Sequence, residues 1–395
     1  MTGRGGDHLL VLNAGSSSLR LGLFTAEPEP MALATGLVER IGGEAGQMHL
    51  KQAGGAVIAD MSLGTRGATH QEALQAALEL LLKAHPGAQI RAVGHRIVHG
   101  GRNHSEPVEL TEQALSYLQE LVPFAPLHQP HNLAGVAAAR AAFPKAQQVG
   151  CFDTAFHRHH PFVNDTFALP RRFYEKGVRR YGFHGLSYDY IAGRLAQMAP
   201  LLHQGRVVVA HLGNGASMCG LSAGRSVAST MGFSALDGLP MGTRSGQVDP
   251  GVLLYLMEQE GMTPAQISDL LYRESGLKGM SGIGSDMRAL LGSDSPHAAE
   301  AIDYFCFRAR RELGGLAAAL EGLDALVFTG GIGENAPAIR GRICRGMHWL
   351  GIELDPRANA AGETVISTAL SRVRVLVIPT NEELVIARAA ARLSR

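Results

Sequence analysis

The sequence predicts an α/β fold made of two duplicated domains, and three observations indicate it. Short runs typical of β-strands alternate with longer helical patterns along the chain. A chain of 395 residues is longer than one that typically folds around a single hydrophobic core, so two domains are the first expectation. The segment LVLNAGSSSLRLGLF near the N-terminus is echoed by VVAHLGNGASMCGLS at 208–222, and both read as strand, small-residue turn and strand. Such an echo favours a duplicated domain whose two turns face one cleft.

Six strands are predicted from short apolar or alternating runs. They are LLVLN at 9–13, LRLGLF at 19–24, AVGHRIVH at 92–99, RVVVAHL at 206–212, ALVFTG at 325–330 and RVRVLVIPT at 372–380. The longer patterns between them predict the helices that cover the sheets.

Helix start signals predict three helices. Thr69 and Glu72 form the pattern of a capping box ahead of ALQAALELLLKA. Ser295, followed by proline, is a candidate N-cap for a long helix through AAEAIDYFCFRARREL. Thr380 and Glu383 form a second capping-box pattern ahead of LVIARAAARL, which predicts Thr380 as the N-cap of the final helix.

The composition narrows the function classes. A formal net charge of +1 suggests neither a nucleic-acid partner nor an electrostatic membrane anchor. No apolar stretch approaches transmembrane length, and the N-terminus lacks the regions of a signal peptide. The four cysteines are widely spaced and show no metal-binding pattern. We therefore expect a cytoplasmic protein with reduced thiols.

Three glycine-rich turns follow predicted strands, at 13–18, 211–217 and 328–337, and each has two readings. One is a plain hairpin turn, and the other is a phosphate site built from backbone N–H groups and hydroxyls. The phosphate-loop motif GxxxxGK[ST] is absent from the chain. GIGENA at 331–336 matches a dinucleotide fingerprint, but it lies late in the chain and no further strand ending in an acidic residue follows at the expected offset. The echo between the first two turns favours β-hairpins that also cradle phosphate.

A series of motifs along the whole chain resembles the acetate kinases, a family of the acetate and sugar kinase, Hsc70 and actin superfamily. In chain order the motifs are NAGSSSLR, GHRIVHGG, APLHQPHN, FDTAFH, RRYGFHGLSY, HLGNGAS, MGFSALDGLPMGTRSG, SDMR, GGIGEN and PTNEEL. The resemblance implies two duplicated ribonuclease-H-like, or actin-like ATPase, domains with the active site in the cleft between them. It places residues 1–153 and 384–395 in the N-terminal domain, and 154–383 in a C-terminal domain that carries the nucleotide site.

The resemblance also implies an activity, which is reversible Mg²⁺-dependent transfer of a phosphoryl group from ATP to acetate. The products are ADP and acetyl phosphate, and the transfer is direct and in line. Mn²⁺ is an alternative metal, and a homodimer is the implied assembly. Carboxylic acids titrate near pH ~4.3, so acetate is already an anion at neutral pH and needs no strong general base. Positioning and positive charge should therefore dominate catalysis.

Four residues match the family's catalytic positions. Arg96 and Arg244 are expected to hold acetate and the transferring phosphoryl group, because an arginine fork matches both groups. His184 is expected to hydrogen-bond the phosphoryl group in the transition state. Asp153 is expected to orient the attacking carboxylate, an arginine or a metal-bound water, and its alternative reading is an Asx turn at a strand end. His128 matches a supporting position.

Asn13 and Glu382 match the family's metal positions, and oxygen ligands suit Mg²⁺. With Thr380 as the N-cap, the capping box would use Glu383 and leave Glu382 available to the metal. The run of His157, His159 and His160 could suggest another metal site. No carboxylate stands at ligand spacing, so we interpret all three as solvated loop histidines.

The resemblance assigns two further groups of residues. The ATP-binding positions are Ser16, Ser18, Arg20, His211, Leu212, Gly213, Asn214, Gly215, Asp286, Met287, Arg288, Gly331, Ile332, Gly333, Glu334 and Asn335. The acetate pocket is expected to be lined by Val98, Leu127, Phe183 and Ala235, together with Arg96.

The sequence departs from the family pattern at five positions. Arg20 stands where lysine is usual, and Ala235 where proline is usual. The smaller Ala235 leaves space, so we expect tolerance of propionate. Gln247 replaces an aspartate, while Leu186 and Tyr188 replace threonine and histidine. None of these changes removes a catalytic group.

Three alternative functions remain open from the sequence. The nearest is a kinase for propionate or another short-chain fatty acid, because one methylene changes binding only by about 1–3 kcal/mol. A sugar kinase of the same fold would need polar sugar-binding residues and a base for a neutral hydroxyl. An actin-like filament or chaperone module would not need the paired arginines.

Overall fold

The computed structural model describes residues 6–15, 18–42, 46–63 and 69–395. These residues form two compact units. The first contains the described residues up to Ala155 together with Asn381–Arg395, and the second is Phe156–Thr380. The chain therefore returns to the first unit after completing the second.

The described residues contain thirteen strands and sixteen α-helices. The strands are β1 (Asp7–Ala14), β2 (Ser18–Thr25), β3 (Ala32–Glu39), β4 (Gln47–Gln52), β5 (Val57–Ser62), β6 (Gln89–Ile97), β7 (Val108–Glu109), β8 (Gln147–Phe152), β9 (Arg206–Leu212), β10 (Ala216–Ser222), β11 (Arg225–Ser229), β12 (Ala325–Thr329) and β13 (Arg374–Val377). The helices are α1 (His70–Ala84), α2 (Glu112–Glu120), α3 (Gln129–Ala142), α4 (Phe162–Asp165), α5 (Arg171–Glu175), α6 (Gly185–Met198), α7 (Pro200–His203), α8 (Pro250–Glu258), α9 (Pro264–Asp269), α10 (Gly276–Ser281), α11 (Met287–Leu291), α12 (Pro296–Ala319), α13 (Gly330–Asn335), α14 (Pro337–Cys344), α15 (Pro356–Ala361) and α16 (Glu382–Leu393).

The two sheets share one strand pattern. The first unit has the order β5-β4-β3-β2-β1-β6-β8-β7, and the second has β11-β10-β9-β12-β13. In both, three antiparallel strands (β3-β2-β1 and β11-β10-β9) are followed by two strands parallel to the last of them. The duplicated fold predicted from the sequence echo is therefore confirmed, and all six predicted strands are present.

The sheet of the first unit is covered by helices on both faces. Leu10 and Leu12 of β1 belong to one core with Leu74 and Leu81 of α1. Helix α16 contacts β1, β6 and β8. At Gly94 of β6, an added Cβ would lie 2.5 Å from Cγ2 of Ile386, so α16 packs directly on the strand backbone. Side chains alternate along a strand, so every second residue of β1 and β6 faces α16.

The core of the second unit forms between its central strands and α6. Ile191 and Leu195 of α6 share a buried cluster with Val207 and Val209 of β9 and with Val327 of β12. The tight packing fixes the N-terminus of α6, where His184 precedes the first helical residue.

The helix starts agree with the sequence in two cases out of three. The Thr69 side chain accepts a hydrogen bond from the N–H of Glu72, whose carboxylate accepts one from the N–H of Thr69, so the predicted capping box is confirmed. Ser295 holds the N-cap position of α12, although its side chain makes no capping bond.

The predicted capping box at Thr380 is wrong. Asn381 is the N-cap of α16, and its Oδ1 accepts a hydrogen bond from the N–H of Leu384 at 2.9 Å. The Thr380 hydroxyl does not cap the helix, and it accepts a hydrogen bond from Ser187 at 3.0 Å. Glu382 and Glu383 are therefore the first two residues of the helix, and Glu383 is not used by a capping box.

The third glycine-rich segment also differs from its prediction. It is not a turn, because Gly330–Asn335 forms the short helix α13. Gly330 has a φ of +77°, which lets the chain change direction directly after β12. No helix among the described residues is long and apolar enough to span a bilayer.

Candidate active-site residues

Three predicted residues of the first unit meet at the ends of parallel strands. Arg96 lies on β6, and its Nε and Nη2 atoms donate to the two carboxylate oxygens of Asp153 at 3.0 and 2.6 Å. Its Nη1 atom donates to Oδ1 of Asn13 at 3.1 Å. Strands β1, β6 and β8 are parallel neighbours, so their carboxyl ends bring these side chains together. Asp153 is only 1% exposed, so the pair is largely removed from water.

Glu382 joins this group from the first position of α16. Its Oε2 atom lies 4.0 Å from Nε of Arg96. Burial raises the pKa of Glu382 to about 7, the charge of Arg96 opposes this shift, and Asp153 and Glu383 add to it. Burial alone would lower the pKa of Arg96, but the charges of Asp153 and Glu382 outweigh that effect and raise it. The arginine therefore stays charged while it partners two carboxylates.

The donor set at Asn13 and Glu382 fits Mg²⁺. Both side chains offer hard oxygen atoms, and Mg²⁺ commonly uses one or two protein ligands while keeping several waters. The amide oxygen of Asn13 keeps a second lone pair beside the one that accepts from Arg96. No group of three or more His, Cys, Asp or Glu side chains with metal-binding geometry occurs in the described part of the chain.

The first glycine-rich turn is a β-hairpin turn between β1 and β2. Its closure includes a hydrogen bond from the N–H of Gly15 to the carbonyl oxygen of Ser18 at 2.8 Å. Ser16 lies outside the described residues, so only Ser18 of the two predicted serines has a described position. Arg20 pairs with Asn13 in the strand register, which puts both side chains on one face of the sheet.

His184 lies at the N-cap position of α6 in a left-handed backbone conformation, with φ 58° and ψ 24°. Its Nδ1 atom is 2.8 Å from the Ser217 hydroxyl. Its ring stacks on the ring of His211, with 4.4 Å between the centroids. Nδ1 of His211 is in turn 2.8 Å from the hydroxyl of Ser187. Hydrogen bonds and stacking therefore fix both imidazoles.

The second glycine-rich turn lies against His184 and Arg244. A Cβ added at Gly215 would be 3.2 Å from Nε2 of His184 and 3.8 Å from Nη1 of Arg244. Nη1 of Arg244 donates to the carbonyl oxygen of Ala235 at 3.0 Å. The N–H of Gly242 donates to the carbonyl oxygen of Asn214 at 3.1 Å. Three motifs that are distant in the sequence thus meet at one place in the second unit.

Helix α13 approaches the same turn. A Cβ added at Gly213 would lie 3.9 Å from the backbone nitrogen of Gly331. The carboxylate of Glu334 accepts hydrogen bonds from the N–H of Gly330 at 2.8 Å and of Thr380 at 3.2 Å. Asn335 donates to the carbonyl oxygen of Gly331 at 3.0 Å. The side chains of Glu334 and Asn335 therefore stabilise α13 itself, and Ile332 and Gly333 lie within it.

The SDMR motif begins helix α11. Asp286 caps this helix through a bond from the N–H of Arg288, and the two side chains also form an exposed ion pair at 2.8 Å. The hydrogen bond from Arg288 lowers the pKa of Asp286. Met287 and Leu212, which the resemblance assigned to ATP, are buried.

Three of the predicted acyl-pocket residues, Val98, Phe183 and Ala235, lie beside predicted catalytic residues of their own units. Val98 directly follows β6, and its N–H donates to Oδ1 of Asn132 at 2.9 Å. Leu127 is half-buried and, like His128, lies just before α3. Phe183 is buried beside His184, and the carbonyl of Ala235 holds Arg244.

The interpretation of the histidine run was wrong for two of its three members. His157 is fully buried, with Nε2 2.9 Å from the carbonyl oxygen of Phe183 and Nδ1 2.8 Å from the Ser226 hydroxyl. His160 is half-buried, with Nε2 2.6 Å from the same hydroxyl. His159 is exposed, as expected.

Sequence reasoning also missed the residues that support His184, namely Ser217 and Tyr188. Ser217 is buried, and its hydroxyl lies 2.5 Å from the hydroxyl of Tyr188, which is also buried. Their spacing of 29 residues carries no local pattern. The one available signal was that both lie within motifs already quoted, RRYGFHGLSY and HLGNGAS.

Comparisons with known proteins extend over nearly the whole chain. A family model described as the Acetokinase family matches residues 8–388. The chain is 56% identical over 391 residues to an acetate kinase of Methylocella silvestris, a match that covers 96% of each sequence. A crystal structure of Porphyromonas gingivalis acetate kinase matches with a TM-score of 0.85 and 39% identity, over 97% of this chain and 98% of that one. A propionate kinase from Francisella tularensis matches with a TM-score of 0.90 and 34% identity, over 97% and 98% of the two chains.

Proposed function

The chain belongs to the acetokinase family, and we propose that it catalyses reversible phosphoryl transfer between ATP and acetate, with acetyl phosphate and ADP as products. One observation of the site carries the proposal. Each unit presents an arginine, Arg96 or Arg244, whose guanidinium is fixed by hydrogen bonds beside the other predicted catalytic side chains. Fixed guanidinium groups suit a reaction in which two anions must meet and charge must be stabilised.

Asp153 has a positioning role in this proposal. Both of its carboxylate oxygens accept hydrogen bonds from Arg96. A carboxylate in a bidentate arginine pair is a poor proton acceptor, and acetate needs no deprotonation at neutral pH. Asp153 therefore holds the guanidinium in the orientation in which it meets the substrate.

His184 and Arg244 act on the phosphoryl group. Nε2 of His184 and Nη1 of Arg244 both lie close to Gly215, so the two side chains and the turn 211–215 present donors in one region. Donors that are fixed before the reaction stabilise developing charge without reorganisation. We assign the turn, α13 and the start of α11 to ATP, and so the nucleotide site to the second unit.

Asn13 and Glu382 would hold Mg²⁺, for which Mn²⁺ is an alternative. When bound, such a cation neutralises negative charge on the phosphate oxygens of the nucleotide. The residues of this chain provide the oxygen ligands, and Arg96 orients the amide oxygen of Asn13.

A homodimer and a cytoplasmic location belong to the proposal as well. All nine residues of α8, which the structure describes in full, are at least partly exposed. They include the apolar side chains of Val252, Leu254, Tyr255 and Met257. Exposed apolar side chains grouped on one helix support contact with a second copy of the chain. The four cysteines are free and buried, which supports a reducing compartment.

A propionate kinase is the second candidate, and one specific observation favours it. Ala235 stands where the family pattern has proline, and its carbonyl oxygen accepts a hydrogen bond from Arg244. A smaller side chain there leaves volume for one more methylene, although one methylene changes binding by only about 1–3 kcal/mol. The similarity to the Francisella propionate kinase is compatible with this reading.

One assay separates these functions. The protein is incubated with Mg·ATP and acetate, propionate, butyrate or glucose, and hydroxylamine traps any acyl phosphate. We expect acetohydroxamate, a smaller yield from propionate and none from glucose. A higher kcat/KM for propionate than for acetate would favour the second candidate. If no acid gave a hydroxamate, the proposed function would be wrong.

A further inference from the structure

A buried chain of three polar groups ends at His184. The hydroxyl of Tyr188 lies 2.5 Å from the hydroxyl of Ser217, which lies 2.8 Å from Nδ1 of His184. Tyr188 and Ser217 are both fully buried. Tyr188 lies one helical turn after His184, at the start of α6, and Ser217 is on β10. These hydrogen bonds therefore join His184, at the start of α6, to strand β10.

The number of available hydrogens decides which group donates in each of these two hydrogen bonds. Among the residues that the structure describes, the Tyr188 hydroxyl has no hydrogen-bond partner other than Ser217. Burial raises the pKa of Tyr188 well above its ordinary value, so the phenol keeps its hydrogen. A buried O–H group without an acceptor is unfavourable, so Tyr188 donates to Ser217. Ser217 has one hydroxyl hydrogen, and it donates that hydrogen to Nδ1 of His184.

The opposite direction fails the same count. If Nδ1 of His184 carried a hydrogen and donated it to Ser217, the three groups would hold three hydrogens for only two contacts. One hydroxyl hydrogen, of Ser217 or of Tyr188, would then be left in a buried position without an acceptor. A doubly protonated His184 would have the same consequence, since it also carries a hydrogen on Nδ1.

The other ring nitrogen points to the reacting groups. Nε2 of His184 is the atom nearest to the position that a Cβ of Gly215 would take, and Nη1 of Arg244 approaches the same position. The charged and titratable side chains around the ring in this unit include His211, stacked at 4.4 Å, and Arg244. A hydrogen on Nε2 is thus directed to the turn that we assign to phosphate.

The backbone of His184 is held by a second chain of hydrogen bonds. The carbonyl of Phe183 can only accept, so Nε2 of His157 donates to it, and Nδ1 of His157 accepts from Ser226. Burial lowers the pKa of His157 well below its ordinary value, which keeps the ring neutral. A Cβ at Gly182, where φ is +72°, would lie 2.6 Å from the His157 ring. The contacts of His157 with Phe183 and Gly182 therefore stabilise the left-handed conformation of His184.

We propose that Tyr188 is a positioning residue that, through Ser217, holds His184 as the neutral tautomer with its hydrogen on Nε2, where it can donate to the transferring phosphoryl group. The effect on turnover rests on the proposed kinase function. The tautomer of His184 does not depend on that function, so experiments can refute the tautomer and the kinase function separately.

The first experiment reads the tautomer directly in the unmodified protein. The full chain is labelled with ¹⁵N in its histidine rings, and long-range ¹H–¹⁵N correlation spectra are recorded without substrate. The 17 histidines are resolved by comparison with His184→Asn, which loses only the His184 signals. We expect one protonated nitrogen, Nε2, and one unprotonated nitrogen, Nδ1. A His184 ring protonated on Nδ1 would overturn the proposal, whatever the activity of the protein.

The second experiment removes the Tyr188 hydroxyl, which donates to Ser217. In Tyr188→Phe, Ser217 is no longer forced to donate, so we expect a measurable population of the Nδ1–H tautomer. We expect kcat to fall about 10-fold, because a misdirected donor loses part of its contribution to the transition state. The KM for ATP should stay within about 2-fold, as for an interaction made only in the transition state. Ser217→Ala interrupts the same chain and should give the same signature if the Tyr188 variant does not fold.

The matched control is Tyr190→Phe. Tyr190 is on the same helix, and its hydroxyl makes no hydrogen bond within the described residues. Its loss should change neither the His184 spectrum nor kcat. If Tyr188→Phe or Ser217→Ala lowered kcat while leaving the His184 signals unchanged, the residues would support only the fold, and the proposal would be wrong. If the signals changed in the predicted way but no acid were phosphorylated, the tautomer would stand and the kinase function would fall.

Discussion

Both carboxylate oxygens of Asp153 are occupied by Arg96, and this single contact defines what each residue can do. Asp153 is 1% exposed, so its charge depends on its partner for compensation. Arg96 also binds Asn13, which connects the pair to the metal ligands. At the scale of residues, the site of the first unit behaves as one hydrogen-bonded group.

The first prediction removes the charge of Asp153. In Asp153→Asn, one donor group of Arg96 loses its acceptor and the guanidinium is no longer held by a bidentate pair. We expect kcat/KM for acetate to fall about 100-fold, as for the loss of one fixed electrostatic contact. The hydroxamate assay measures the effect. Asp324→Asn is the matched control, because Asp324 pairs with Arg206 in the same bidentate way at a more exposed position, and its activity should be unchanged.

The second prediction concerns Arg20, which stands where the family pattern has lysine. Arg20 is exposed, and its side chain makes no hydrogen bond among the residues that the structure describes. A guanidinium without a planar partner contributes mainly its charge, which lysine retains. We therefore expect Arg20→Lys to change the KM for ATP by less than about 3-fold. A larger change in steady-state kinetics would mean that the fork itself contacts the nucleotide.

The family resemblance assigned Asn13, Arg96 and Asp153 from the motifs that contain them, and the strand order explains why these residues meet. Asn13 ends the run LLVLN, and Arg96 lies near the end of the run AVGHRIVH. The carboxyl ends of neighbouring parallel strands must meet, so their proximity follows from the strand order. Ser217, Tyr188 and His157 could not be found in this way. Their contacts cross from one element to another, and no spacing in one sequence records such contacts.

Helix α16 is the element on which the first unit depends most visibly. Its first turn supplies Glu382, and its apolar face lies on β1 and β6. The sequence located this helix correctly but assigned its cap to the wrong residue. Thr380 and Asn381 are both good N-cap residues, and local pattern could not decide between them. In the structure the Thr380 hydroxyl accepts a hydrogen bond from Ser187, almost two hundred positions earlier, and Asn381 caps the helix.

The third prediction tests the cap. Asn381→Ala removes the acceptor for the N–H of Leu384 and should lower the free energy of unfolding by about 1 kcal/mol. It should also raise the Mg²⁺ concentration needed for half-maximal activity, because Glu382 is the next residue. Urea unfolding and a Mg²⁺ titration measure the two effects. An unaltered unfolding midpoint would show that Asn381 does not cap the helix.

The fourth prediction tests the contact between α16 and β6. Gly94→Ala would place a Cβ 2.5 Å from Cγ2 of Ile386 and should destabilise the protein by about 1–3 kcal/mol. Gly193→Ala is the control, because nothing lies within 4 Å of its added Cβ in α6. Alanine in a helix interior is favoured over glycine by about 0.5–1 kcal/mol, so that variant should be slightly more stable. Equal unfolding midpoints for the two variants would contradict direct packing of α16 on β6.

The whole molecule repeats one strand pattern in two units. The echo between two short segments predicted this repetition, because each segment contains the central hairpin of its sheet. Strands β3, β4, β5, β7, β8 and β11 were not predicted. β4 and β5 lie at one edge of the sheet and carry many exposed or polar residues, and β7 has only two residues. Such strands show little of the apolar periodicity that identifies a strand in a sequence.

The fifth prediction concerns assembly. Leu254 of α8 is 55% exposed among other apolar side chains of the same helix. If α8 contacts a second copy of the chain, Leu254→Glu should shift the protein towards monomer in sedimentation velocity. Leu201 is 90% exposed on α7, and Leu201→Glu should leave the assembly unchanged. A monomeric unmodified protein, or a Leu254→Glu variant that sediments like it, would contradict a dimer through α8.

The return of the chain to the first unit has a consequence for the order in which the two units can fold. Phe156–Thr380 is one continuous segment, so every contact within it is available as soon as that segment has been synthesised. The sheet of the first unit is made earlier, but α16, which covers one of its faces, follows only after the whole second unit. Until then Leu9 and Val11, which alternate with the core residues Leu10 and Leu12, lack that cover. We therefore expect the nascent first unit to expose an apolar surface on the ribosome, where holdase chaperones can bind it, until the C-terminal helix arrives.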